Sequence, residues 1–188
     1  YREFISHTLL LSQRDEAEAY FKSKFSDMSE PSLPFGFDDT QVSPNQIVEA
    51  REVLESDLSV GIRAECQRLN ISAASFFHLA WALVVGRSID REDVAFGTVL
   101  SGRLQGTAGA ERTLGLFINT LPLRLALVGS VEEALSYTHE ELLNLLIHEQ
   151  TSLSRVRECA ALPNNTPLFT STLNYIHELV RENNLRYS

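Results

Sequence analysis

The sequence predicts an α/β fold with helices layered on a sheet, and three features carry that expectation. Two apolar runs, Val94–Leu100 and Leu116–Leu127, are β-branched and too short for ordinary packed helices, so both read as buried strands. Ahead of them, ISAASFFHLAWALVVGR is apolar almost all round and needs burial against a sheet or between layers. Beyond them, helical spacing returns after Ser130. Helix, strand, loop, strand, helix is the alternation of a layered α/β domain.

The bulk properties suit such a domain. Its 188 residues fit one domain or a large lobe of something bigger, with apolar and charged shares of 44% and 22%, ordinary for a soluble chain. A net charge of −9 argues against a nucleic-acid or anionic-membrane surface. No apolar stretch reaches the roughly 18 residues of a membrane span. The opening YREFISHTLLLSQ has no signal-peptide pattern and no initiating methionine, and reads as cut from a longer chain. Cys66 and Cys159 stand far apart without partners at metal spacing, so two reduced, buried thiols in a cytoplasmic protein are expected.

In chain order, Ser12 and Asp15 open a helix that aligns Ala17, Tyr20, Phe21, Phe25 and Met28. Pro31, Pro34 and Pro44 mark a surface loop, and Ile47–Leu54 reads as a strand. Ser56 is placed to cap a helix over Asp57–Leu69 with Leu58, Ile62, Cys66 and Leu69 inward, ending at a left-handed Asn70. Ser72 caps the next helix, in which Trp81 is expected to be mostly buried and His78 to be a hydrogen-bonded core residue. Ser130 and Glu133 make a capping box. The helix behind it turns Val131, Ala134, Leu135, Leu142, Leu145 and Leu146 inward and Glu132, Glu140 and Glu141 to water, and His148 closes it where the dipole favours a cation. Ser152–Cys159 is a short helix, Pro163–Pro167 a turn, and Leu168–Ile176 a last strand.

Polar residues interrupt the two apolar runs. Thr98, Ser101 and Arg103 lie on or beside the first, Asn119 and Thr120 within the second, and the loop SGRLQGTAGAERTLG between them holds four glycines and room for a helical turn near Ala110–Leu114. A buried asparagine must place two donors and one acceptor. Either these groups line a pocket wall, or Asn119 and Thr120 satisfy neighbouring backbone at a bend before Pro122.

The same residues carry a resemblance. Leu114-Gly115-Leu116-Phe117-Ile118-Asn119-Thr120-Leu121-Pro122 resembles the (I/V)-G-x-F-V-N-T-L signature of condensation domains in nonribosomal peptide synthetases. Phe96–Arg103 resembles the strand ending in Gly-Arg that precedes it in that family, and Tyr1-Arg2-Glu3-Phe4 the Tyr-x-x-Phe that opens the domain's second half. His148-Glu149-Gln150 stands where the family has His-Gln-Asp and departs from it at the last two residues. Pro167-Leu168-Phe169 resembles the end of the last common motif without the arginines ahead of it.

The resemblance implies a chloramphenicol-acetyltransferase-like α/β sandwich with a mixed sheet, with residues 1–188 the C-terminal lobe of a two-lobed condensation domain, incomplete at both ends. Val94–Leu100 and Leu116–Leu125 would be its central strands. The whole domain would join an acyl or peptidyl thioester on one carrier protein to the amine of an aminoacyl group on the next. The family's His-His-x-x-x-Asp-Gly motif is absent, since none of His7, His78, His139, His148 and His177 has a histidine neighbour or a following Asp-Gly. By sequence, this segment brings no general base and no catalytic residue, and would supply the opposite wall of the substrate tunnel. Ser101, Gly102, Arg103, Asn119 and Thr120 map to that wall as substrate-binding residues, and Asn119 or Ser101 would hydrogen-bond a thioester carbonyl or an oxyanion.

No metal or cofactor is implied in this segment, because phosphopantetheine is carried by partner carrier domains. The other implied partners are the N-terminal lobe and a neighbouring adenylation domain. A non-catalytic docking lobe and an ester-forming relative remain alternatives.

Overall fold

A computed structural model describes residues 15–36, 47–102, 117–163 and 166–176. The first described helix, α1 (Asp15–Phe25), opens with Asp15, Glu16 and Glu18 and closes with Lys22 and Lys24, each matched to the helix dipole at its end. It buries Ala17, Phe21 and Phe25, with Met28 just beyond it; Ser12 lies outside the described residues. A single 3-10 turn, Pro34–Gly36, follows.

Helix α2 (Ser56–Arg68) begins one residue earlier than expected. Glu55 precedes it without a side-chain cap, and Ser56 is the first helical residue rather than the cap. Its apolar stripe is narrower than the spacing suggested, with Ile62 and Cys66 buried and Leu58 exposed. Asn70 does take the left-handed conformation (φ 53°). Ser72 then caps α3 (Ala73–Ile89) by accepting from the Ser75 N–H, and Asp90 ends that helix in the left-handed region.

Strands β1 (Asp93–Leu100) and β2 (Asn119–Ala126) pair antiparallel from Asp93↔Ala126 to Leu100↔Asn119. The capping box of Ser130 and Glu133 starts α4 (Val131–Ile147), and Ser152 caps the short α5 (Leu153–Glu158). Strand β3 (Thr172–Leu173) joins β1 in parallel, giving the mixed sheet order β2-β1-β3. Val94 and Phe96 face α3, where a Cβ on Gly86 would meet Val94 and where the His78 ring lies against Phe96. Their partners Leu125 and Leu123 share that face, and together with Phe21, Phe25, Ala82, Val85, Leu121, Leu142 and Leu145 they make one continuous core.

The ladder also fixes which backbone groups face outward. The Leu127 N–H donates to Glu92 O, while the Gly97 N–H donates to Ser171 O on the other side. Even-numbered residues of β1 therefore bond toward β2, and Pro122, opposite Gly97, turns its nitrogen away from the ladder.

Five expectations are corrected. β1 is central, but β2 is an edge strand among the described residues, though Leu121, Leu123 and Leu125 are fully buried. A central β2 needs a ladder on its outer side, and the sequence's other strand candidate, 47–54, forms none and lies exposed, with Val48 at 90%. The last strand shrinks to two residues, preceded by one bridge from Phe169 to Ser32. Glu141 is buried rather than solvated, because Lys24 reaches it at 2.7 Å, while Val131 is exposed. Trp81 is mostly buried as expected and packs against the core, while Leu83 (44%) and Val84 (46%) on α3 stand open among the described residues.

Candidate functional site

The two segments that carry the sequence signature meet at one end of the sheet, where β1 leaves through Ser101-Gly102 and β2 enters through Phe117-Ile118. Gly102 is buried, with φ +66°, and a Cβ on it would fall 1.7 Å from Phe117 O. Only glycine permits that approach. The turn between α4 and α5 closes over both strand ends. Gln150 Nε2 donates to Gly102 O at 2.8 Å. Asn119 Nδ2 donates to Glu149 O and Thr151 O, each at 2.8 Å, and its Oδ1 accepts from the Thr120 N–H at 2.9 Å.

Both Nδ2 hydrogens and Oδ1 of Asn119 are thus engaged by backbone, and the side chain ties the start of β2 to the turn. Register also divides the predicted wall. Asn119 pairs with Leu100 on the helix-covered face, whereas Thr120 pairs with Val99 on the opposite one. Ser101 is exposed and its hydroxyl has no partner among the described residues. Arg103 lies outside the described residues, as does the helical turn expected near 110–114.

Sequence reasoning missed the turn's own part. Glu149 and Thr151 are almost fully buried, and the clue was that His148-Glu149-Gln150 departs from the family pattern at its last two residues. His148 caps α4 and stacks on Tyr20, with centroids 4.4 Å apart. Burial pushes its pKa down, and that desolvation outweighs the attraction of Glu16. Burial likewise raises the Tyr20 phenol, with the Glu141 charge adding to it.

His78 is a core residue as expected, only 3% exposed, its Nδ1–H donating to Ala74 O at 2.7 Å. Its pKa is lowered by burial, which the Ala74 bond only partly offsets. For both histidines the folded state prefers the neutral ring. That contribution is complete above the ordinary value of 6.5 and is lost as pH falls through the lowered folded values. Urea midpoints should therefore hold above about pH 7 and fall as pH drops below about 6.5, with each histidine adding no more than about 1.4 kcal/mol per pH unit. A His78→Leu variant should show a shallower fall, and equal slopes in the two proteins would remove His78 from the account.

Among the described residues no group of three His, Cys, Asp or Glu side chains is placed to hold a metal ion, and no single helix is long and apolar enough to cross a membrane. The sheet is mixed, α3 packs on the face of Val94 and Phe96, and a polar junction at one sheet end is tied by the turn between α4 and α5. The condensation-domain model matches residues 1–185, and the chain belongs to that family.

Its relatives are nonribosomal peptide synthetases. The chain is similar to malpinin synthetase of Mortierella alpina, 41% identical over 178 residues, which is 94% of this chain and 2% of that protein. It is also 41% identical over 163 residues to malpibaldin synthetase of the same organism, covering 86% of this chain and 3% of that one. Among solved structures, the first condensation domain of the calcium-dependent antibiotic synthetase, in complex with a substrate analogue, shares the fold. Its TM-score is 0.71 at 20% identity, covering 93% of this chain and 39% of that one. The chain thus spans a few hundredths of the length of these curated relatives.

Proposed function

We propose that residues 1–188 form the C-terminal lobe of a condensation domain in a nonribosomal peptide synthetase, supplying one wall of the tunnel where an amide bond is made. The supporting observation is the convergence of both signature segments at one sheet end, with the Ser101 hydroxyl exposed there and without a partner among the described residues. The substrates are an acyl or peptidyl thioester on the phosphopantetheine arm of one carrier protein and an aminoacyl group on the next. The acceptor nitrogen bonds to the thioester carbon, the carbon–sulfur bond breaks, and the proton lost by nitrogen ends on the departing sulfur.

The base that moves that proton belongs to the N-terminal lobe, since this sequence lacks the paired-histidine motif. The role left to this lobe is to hold the carbonyl oxygen as it gains charge. Ser101 has a hydroxyl to offer, whereas Asn119 has spent both amide hydrogens on backbone. An adenylation domain on the same polypeptide completes the set of partners.

The test is the complete condensation domain, given donor and acceptor carrier proteins loaded with matched substrates and read by mass spectrometry of the acceptor-bound product. Transfer to an amine supports the reading, transfer only to a hydroxyl acceptor makes the enzyme ester-forming, and no transfer rejects the assignment. Residues 1–188 expressed alone should bind a hydrophobic dye through the open face of α3 at Leu83 and Val84. A monomeric, dye-silent, cooperative melt would count against the lobe.

A further inference from the structure

We propose that Gln150 is a positioning residue that, by holding the Gly102 carbonyl, sets where the Ser101 hydroxyl stands in the tunnel wall. This rests on the reading of the wall as a substrate surface. Gly102 is trapped between two groups. On one side Phe117 O lies so near that the chain cannot move toward β2, and on the other Gln150 Nε2 holds the Gly102 oxygen at 2.8 Å. The carbonyl needs a donor, which an aspartate or glutamate at neutral pH would not provide. Gln150 is itself anchored, because the turn it belongs to is bonded through the carbonyls of Glu149 and Thr151 to Asn119 at the start of β2. Ser101, one peptide from the held carbonyl, has no side-chain partner among the described residues to orient it. Its position follows from that of Gly102.

The experiment uses the complete condensation domain with its loaded carrier proteins. Gln150→Met keeps the length and removes the N–H. It should lower the single-turnover rate per folded molecule about tenfold with little change in donor KM, the pattern of an interaction made in the transition state. Gln150→Glu should be as slow at pH 8 but should recover relative to unmodified enzyme as pH falls toward the ordinary glutamate value of about 4.3, where a protonated carboxyl can donate to Gly102 O. Combined with Ser101→Ala, Gln150→Met should add almost nothing, because both changes remove the same contact.

An unchanged rate per folded molecule in Gln150→Met, with only a lower melting temperature, overturns the proposal and leaves amide formation standing. Full additivity with Ser101→Ala, or a Gln150→Glu profile parallel to that of unmodified enzyme, overturns it as well. Failure of the unmodified domain to form amide rejects the functional reading itself, and this inference with it.

Discussion

Gly102→Ala is expected to be the most damaging small substitution in the described structure, costing about 3–5 kcal/mol and leaving little folded domain. Two effects add. Alanine at φ +66° pays for a left-handed backbone, about 1–2 kcal/mol. The new methyl would also lie 1.7 Å from Phe117 O, which belongs to backbone and cannot rotate away. The ends of β1 and β2 must part, and the Gln150 bond is lost with them, about 1 kcal/mol more. Gly36→Ala is the control, because Gly36 also has positive φ (+73°) but nothing within 4 Å of its added methyl. Chemical denaturation should find that variant weakened only by the backbone term. Similar losses in both would show that the approach to Phe117 does not matter.

Asn119→Ala is expected to cost about 2–3 kcal/mol, because it strips partners from two carbonyls and one N–H in a single change. Its rate per folded molecule should hardly move. Were the amide instead a hydrogen-bond donor to the oxyanion, the same substitution would slow amide formation by about 10- to 1,000-fold with little loss of stability. A melting curve and a single-turnover rate on one variant separate the two, and a stable but slow protein would return Asn119 to the chemistry.

What was legible in the sequence was local or strongly periodic. Ser72 and Ser130 each cap the helix they were expected to cap, since a cap is decided within three residues, whereas Ser56 became the first helical residue instead. The two β-branched runs form β1 and β2 because their apolar content is buried whatever lies beyond. What escaped depends on distant partners. Glu141 looked solvated on its own helix, but the lysine that allows its burial lies 117 residues away. Asn119 posed a correct question, a buried amide needing partners, and the carbonyls that answer it come 30 and 32 residues later. Residues 47–54 have strand composition, yet a strand exists only against a neighbour, and among the described residues they have none.

The border of β2 has a bearing on how this sheet tolerates crowding. Along that side the Thr120 N–H is already taken by Asn119, and Pro122 has no hydrogen to offer, so two consecutive outward positions are useless as a template. A strand arriving from another copy would find a gap in the donors where it needs a run. Such a gap hinders the sticking of one half-folded copy of this sheet to another.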